Sequence, residues 1–505
     1  MSNKIYNKLA DHYMGKIYGI TFLAAVLILL CLIAFRVMLI FTYNGEIGGI
    51  DNNFVYGVIR SIAGYNIYPN PEAFPYPVNP YSPLYYNLCS LIGNIFKIHI
   101  EEPINVYRLC RSVSFTCDIL TCVVFFQTIK KTIGLKKETA LLATSVLACL
   151  LCYLGYTFSR ADSLFLLFYT LLISILLKKN INNANIHALM LAFLSIGCIF
   201  SKQNGIIAPL LVVTGLLIDK KSKLTLWYLL FLSVLIAATL FFYLRIANYT
   251  YLLEHIVSGI NNQLDLSWFY VTIFKRLADS LIILLLYAGL VLSLKWLLGQ
   301  AQSFQKKLSL LFIFQTIFSL GISLKWGSSV GYFNESFVLA IFLITYYAAQ
   351  ENEMREKKFL IVSLPLYMLF FIHVWVQGYL FFIQDQKEKK QIYLQQKEIR
   401  NYLQPKLSGK YLLDLGNENG NFFKTLFYKE SFVPNYDAVS CCTFPRNTFN
   451  YSAMVNDLQN GNVKFLILPE KESMNEIWGI SLDQFRKDTT MYGHSILSYM
   501  GAGNK

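Results

Sequence analysis

The chain has 505 residues, of which 55% are hydrophobic, 16% aromatic and 15% charged. That is more apolar surface than one soluble core buries, which excludes an ordinary globular protein and leaves the lipid bilayer as the solvent. The formal net charge of +14 would suit nucleic acid if the basic residues formed a face or stripe. They sit instead in short clusters between apolar runs, so they are read as a topology signal.

The first apolar run, 18–42, covers about 25 residues, enough to span and too long for a cleavable signal. Further runs follow at roughly 106–129, 138–157, 162–177, 186–200, 204–218, 224–244, 279–297, 308–324, 336–349 and 359–382, giving about eleven expected spans. Every second connection is basic: Lys4, Lys8 and Lys16; Lys130, Lys131, Lys136 and Lys137; Lys178 and Lys179; Lys220, Lys221 and Lys223; Lys306 and Lys307; Arg355, Lys357 and Lys358. The positive-inside rule then puts the N-terminus in the cytoplasm and, after an odd number of spans, the tail outside. Most cysteines (Cys31, Cys110, Cys117, Cys122, Cys149, Cys152, Cys198) fall in or beside apolar runs, where they behave as small hydrophobes; Cys441 and Cys442 lie in the tail. No zinc or redox site is expected.

After the first span comes an outer loop, 43–105, whose stretch from Gly45 to Pro83 is rich in Tyr and Pro and carries Asp51 soon after the membrane. Proline and aromatic rings give a rigid, water-poor surface in which a carboxylate can act as a general base. Asp51 is equally suited to start the helix FVYGVIRSI, for which Asp is a favoured residue. The run from Pro83 to Ile98 would break the basic alternation if it crossed, so it is expected to lie in the interface as an amphipathic helix. Tyr251 to Phe274, where apolar and polar residues interleave, reads as either a second interfacial segment or a plain loop.

Charged residues mark the outer ends of later spans. SRADSLF carries Arg160 and Asp162, and SKQNG carries Lys202 and Gln203 between two apolar runs with almost no loop. Ionisable groups there are costly unless used or paired. Two cations facing a cavity suit an anionic phosphate; snorkelling to headgroups, with Asp162 pairing Arg160 or Lys202, is the competing explanation. KWGSSVGYFNES, from Lys325 to Ser336, adds small residues that admit a ligand and Trp326, Tyr332, Asn334 and Glu335 for sugar-type contacts, although aromatic and small residues also serve as interfacial anchors.

From about residue 384 the composition changes. A charged helical stretch is followed by alternating strand-like runs (KYLLDL, VKFLILPE) and helices, which predicts a small C-terminal α/β domain, 384–505, outside the membrane. YLLDLGNENG, Tyr411 to Gly420, echoes a nucleotide-binding glycine loop, but its glycine pattern is incomplete and it falls on the outer side, away from cytoplasmic cofactor. Asn248, Asn334 and Asn450 head N-x-S/T sequons on the same side.

Taken together, GIDNN, the YSPLYY element, SRADSLF, SKQNG and GSSVGYFNES resemble, in order and in sidedness, the GT-C superfamily of membrane glycosyltransferases, which includes the lipid A aminoarabinose transferase and the protein O-mannosyltransferases. The resemblance covers about residues 18 to 380. It implies an α-helical polytopic membrane domain, 1–383, and an inverting transfer of a sugar from a polyprenyl-phosphate donor to an acceptor hydroxyl of an envelope glycan, lipid or protein. In that scheme Asp51 takes the acceptor proton, while Arg160, Lys202 and Gln203 hold the donor phosphate. Asn52, Tyr85, Asp162, Tyr332, Asn334 and Glu335 are candidate substrate contacts. No acidic pair beside Asp51 is available to chelate a metal, so metal independence is expected and no cofactor is implied. The expected setting is the plasma (inner) membrane of a bacterium. The rival readings are a lipid-linked oligosaccharide flippase, which would show repeat symmetry and broken helices near the midplane, and a glycan polymerase or ligase, which differs mainly in substrate size.

Overall fold

Each apolar run of the sequence is helical over its described residues. The computed structural model describes residues 2–45, 47, 51–153, 158–178, 183–260, 263–280, 282–350, 352–414, 422–429, 448–450, 452–470, 476–477 and 480–501. Helix α1 (Ser2–Ile40) leads to two short helices, α2 (Asp51–Ile62) and α3 (Pro83–Ile95). The bundle continues with α4 (Pro103–Thr128), α5 (Lys137–Tyr153), α6 (Asp162–Leu176), α7 (Ala184–Ser201), α8 (Ile207–Ile218) and α9 (Ser222–Phe241). Three short helices, α10 (Leu252–Val257), α11 (Leu266–Trp268) and α12 (Lys275–Asp279), precede α13 (Ile283–Leu298), α14 (Ser303–Ser323), α15 (Asn334–Gln350) and α16 (Asn352–Gly378).

Among the described residues six helical segments are long and apolar enough to cross a membrane, and a bent pair, Leu266–Asp279 with Ile283–Leu298, makes a seventh if counted as one span. Asp162–Leu176, Gln203–Ile218 and Ser363–Gly378 are shorter apolar helices. Among the described residues, then, six to seven segments meet the length of a span, and the expected count of about eleven is not reached by length and composition. α3 has 13 residues, about 20 Å at 1.5 Å per residue, well under the hydrocarbon thickness. Its apolar face is exposed at Leu91, Ile95 and Phe96.

The solvent in which this bundle folds is visible in its exposed surface. On α9 the buried side chains Leu224, Tyr228 and Leu232 recur every fourth residue, while Leu226, Val234 and Phe241 are exposed. One stripe packs on α7 and the remainder faces outward, the pattern of a helix at the lipid boundary. The cysteines follow the same logic. Cys149 and Cys152 on α5 do have the C-x-x-C spacing, but both are buried free thiols packed with Phe35, Phe158 and Val374. Cys441, Cys442 and the glycine-loop residues 415–420 lie outside the described residues.

Several lysine clusters meet at one end of the bundle. Lys307 Nζ lies 2.7 Å from Asp219 and donates to the Leu176 carbonyl at 3.2 Å, and Lys136 stands over the Tyr18 ring at 4.4 Å. The opposite end carries the soluble domain. Its first helix, α17 (Gln386–Leu407), is followed by β1 (Tyr411–Asp414), α18 (Phe423–Leu426), α19 (Ser452–Gln459) and β2 (Val463–Pro469). The chain ends with a two-stranded ribbon, β3 (Glu476–Ile477) and β4 (Ile480–Ser481), and a hairpin, β5 (Phe485–Met491) and β6 (His494–Tyr499). The four-stranded sheet has the order β1-β2-β6-β5, with β1 and β2 parallel and the other pairs antiparallel. This is the small α/β unit expected from the alternating pattern.

The domain is fastened to the loop region. Arg400 bonds Glu101 at 2.8 Å, and Lys397 and Tyr393 donate to Glu102. The backbone N–H of Tyr43 donates to Gln386 Oε1 at 2.8 Å. The first outer loop is also pinned from within. The Asn79 N–H donates to Nδ1 of His255 at 3.1 Å, and Nε2 of the same ring donates to the Pro69 carbonyl at 2.7 Å. Those two bonds fix a neutral imidazole, and burial pushes its pKa down to about 4.

Candidate functional site

The charged cluster at the domain end of the bundle is assembled by helix termini. Asp51 is the first residue of α2, Asp162 the first of α6 and Glu335 the second of α15. A carboxylate in the first turn of a helix is stabilised by the N–H groups and dipole aimed at it. Lys202 occupies an extended break (φ −153°, ψ 141°) between Ser201, the last residue of α7, and a turn, Gln203–Ile206, that leads into α8. Gly205 makes that break possible, since a Cβ there would fall 2.2 Å from the Cys198 carbonyl. Local sequence thus explains why SKQNG turns so tightly and delivers a lysine into the interior.

Four charged residues from three distant segments are buried: Asp51 0%, Arg160 6%, Asp162 3% and Lys202 3% exposed. Lys202 Nζ donates to Asp162 Oδ1 at 2.6 Å, and Arg160 Nε approaches Asp162 Oδ2 at 3.4 Å. One carboxylate therefore bridges two cations, combining both pairings that the sequence offered as alternatives. Arg160 also lies within charge-interaction range of Asp51 and Tyr332 and 5.9 Å from the Tyr81 ring. Lys202 stands 4.8 Å from the Tyr332 ring, and Glu335, 3% exposed, is within range of Lys202 and Asp162. Asp51 Oδ2 accepts the Ile47 N–H at 2.8 Å, so it both starts α2 and faces the cluster.

The other sequence candidates divide. Asn52 accepts from the Tyr107 hydroxyl and holds α2 against α4. Gln203 does not turn toward the cations; its amide donates to the Pro80 carbonyl and to the Ile256 carbonyl at 3.5 Å, tying two loops together. Tyr85 is fully buried, with its hydroxyl donating to the Cys110 carbonyl at 3.0 Å and sharing a hydrogen with Ser114 Oγ at 2.9 Å, so it forms part of the α3–α4 wall. Asn334 is 4% exposed at the start of α15, which removes it from the sequons a glycan can reach. Trp326 packs on Trp268 with ring centroids 5.5 Å apart.

Two groups escaped the sequence reading. Arg111, inside the second apolar run, donates to the Thr42 carbonyl at 2.9 Å and to that of Asn44, clamping the end of α1 ahead of Asp51. Arg36 on α1 and Asp118 on α4 form a buried pair at 2.8 Å. The signal for both was an ionisable residue within an apolar run. An apolar groove of about 790 Å³ lies between α1, α3, α4 and α6, lined by residues such as Phe41, Leu88, Ile92, Arg108 and Leu164. It shares no residue with the charged cluster, but Leu164 is one turn or less from Asp162. Among the described residues no group of three His, Cys, Asp or Glu could hold a metal ion.

The helical bundle with a small mixed sheet at one end shares its fold with two solved membrane transferases. ArnT from Cupriavidus metallidurans in the apo state matches with a TM-score of 0.57 and 11% identity, covering 94% of this chain and 97% of that one. The same protein bound to undecaprenyl phosphate matches at 0.54 and 12%, with the same coverage. The Archaeoglobus fulgidus oligosaccharyltransferase in the apo form matches at 0.51 and 12%, covering 88% of this chain and 70% of that one. At such identities the likeness is one of fold. No family model matches the chain, and no curated protein matches it in sequence.

Proposed function

We propose that this chain is an inverting glycosyltransferase that moves a sugar from a polyprenyl-phosphate donor to an acceptor hydroxyl of an envelope glycan, lipid or protein, on the outer side of the membrane. The observation that carries the reading is the convergence of Asp51, Arg160, Asp162, Lys202, Tyr332 and Glu335, from four separate stretches of chain, at the domain end of a GT-C-like bundle. Asp51 takes the proton of the acceptor hydroxyl as its oxygen bonds the anomeric carbon. The bond from that carbon to the phosphate oxygen breaks, and the electron pair leaves on the phosphate. Arg160 and Lys202 offset the charge that develops there, in a site where water is scarce and fixed charges are strong. Asp162 holds the two cations in place. The groove beside α3 offers an apolar path for a prenyl chain, and the undecaprenyl phosphate bound by C. metallidurans ArnT supports a lipid of that class.

No divalent metal is assigned a role, and transfer is expected to persist in chelator; activity lost with EDTA and regained with magnesium or manganese would remove that part of the proposal. The main test is incubation of the purified protein with radiolabelled polyprenyl-phosphate sugars and envelope lipids. A new glycosidic bond, lost in Asp51→Asn by about 10²- to 10⁴-fold in kcat, is the expected result. Transfer at the wild-type rate by Asp51→Asn would refute the assignment of the base, and movement of the labelled lipid across vesicles without transfer would replace the enzyme with a flippase.

A further inference from the structure

This inference rests on Asp51 as the base and concerns what aims it. α2 has 12 residues, a length at which an isolated helix is marginal in water, so its direction is set by what it packs against. On one side it meets α3: Phe54 stacks on Tyr86 at 5.4 Å, and a Cβ at Gly57 would fall 2.6 Å from that ring. On another side it meets the soluble domain. Lys424 Nζ donates to Asn53 Oδ1 at 2.6 Å and stands 4.9 Å from the Tyr56 ring. Arg60, at the far end of the helix, donates to the Tyr428 carbonyl at 3.2 Å. Residues 53, 56 and 60 form one stripe along the helix. Phe422 completes the contact by packing on Tyr107, at 5.3 Å, whose hydroxyl bonds Asn52.

A segment of the soluble domain thus grips the catalytic helix from its first turn to its last. The grip at the first turn is a charge-assisted hydrogen bond, stronger and more directional than a neutral one. We propose that Lys424 is a positioning residue: through Asn53 it fixes the rotation of α2 about its axis, and so fixes where the Asp51 carboxylate meets the acceptor hydroxyl. Lys424 touches no reacting atom in this scheme. It acts because Asp51 is two residues from Asn53 on a rigid element, and a misplacement near 1 Å costs a general base about 10²-fold. The soluble domain then contributes to the rate mechanically, apart from any role in choosing the acceptor.

The test uses the full chain with an undecaprenyl-phosphate donor carrying a radiolabelled sugar and envelope lipids as acceptor. Lys424→Met keeps the stem over Tyr56 and removes the donor; it is expected to lower kcat by about 10- to 100-fold with KM for the donor unchanged. Lys424→Arg restores most of the rate, and Asn53→Leu slows the Lys424→Met protein by less than it slows the natural chain, because the two changes share one bond. A Lys424→Met protein with wild-type kcat, or one whose loss of rate equals its loss of folded protein in thermal unfolding, overturns the positioning role, as does Lys424→Arg performing no better than Met. If Asp51→Asn is dead and Lys424→Met is undiminished, only the positioning role falls. If Asp51→Asn transfers normally, or the unaltered chain transfers nothing, the functional reading falls and takes this one with it.

Discussion

Two buried arginine–aspartate contacts in this molecule show how similar chemistry serves different ends. Arg36 and Asp118 meet at 2.8 Å, and the guanidinium is covered by the faces of Phe158, at 4.2 Å, and Phe115, at 5.7 Å. That contact joins α1 to α4 and is sealed by apolar rings. Arg160 and Lys202 share Asp162, and their neighbours are the tyrosines Tyr81 and Tyr332. The second site also gathers the carboxyl groups of Asp51 and Glu335 around its two cations, whereas Arg36 and Asp118 meet as a single pair. The first arrangement is a single clamp between two helices; under the proposed function, the second is where the donor phosphate would be held. What separates them is the number of charged groups gathered and the polarity of the covering rings, since both are buried to a similar degree.

The sharpest way to break this contrast is to remove one cation from each. Arg36→Ala leaves Asp118 buried without its partner and is expected to destabilise the protein by about 3–5 kcal/mol, with the rate per folded molecule unchanged; thermal unfolding beside active-site-normalised kcat checks this. Lys202→Ala leaves Asp162 with Arg160, so its main expected effect is on rate, about 10²- to 10³-fold in kcat, read in the same transfer assay. Equal effects of the two substitutions on stability and rate would erase the distinction drawn between them.

Smaller effects separate the loop from the cluster. The folded pKa of His255 is depressed to about 4 from an unfolded value near 6.5. The unfolded chain therefore binds the extra proton more readily, and stability from this residue is fully present above about pH 6.5 and is lost as pH falls toward 4. Unfolding midpoints measured across that window should decline in the natural chain, with a flatter decline in His255→Asn. Smallest of all is the fastening of the domain at Glu101, whose carboxyl is held below its usual range first by the Arg400 hydrogen bond. It is more than half exposed, so Glu101→Gln should cost no more than about 1 kcal/mol and less still at high salt, measured by thermal unfolding at two ionic strengths.

Hydropathy and lysine placement made the bundle legible because a bilayer forces apolar length onto each span. The tail's alternating pattern likewise announced a small sheet. Span reach was less legible, since helices such as α6 and α8 are short and their apolar runs look like the longer ones. Within the site, Asp51, Arg160, Asp162, Lys202, Tyr332 and Glu335 were all visible as ionisable or polar residues at helix ends. Gln203 and Tyr85 were not separable from them, because a hydrogen bond to Pro80 or Cys110 is a fact of three-dimensional packing that spacing does not carry. Arg111 and Lys424 were missed for opposite reasons. Arg111 stands inside an apolar run and deserved notice there, whereas Lys424 is one lysine in a soluble tail with nothing local to mark it.

The bond between Asn53 and Lys424 joins residues 371 positions apart, and that distance has a meaning in time. At synthesis rates of about 5–20 residues per second, α2 emerges roughly 20 to 75 seconds before the lysine that grips it. On the proposed positioning role, the helix bearing Asp51 is through that interval already made but not yet aimed. By the same role, a chain interrupted between residues 335 and 424 would carry the whole charged cluster and still lack its alignment, so activity would report that synthesis had passed residue 424.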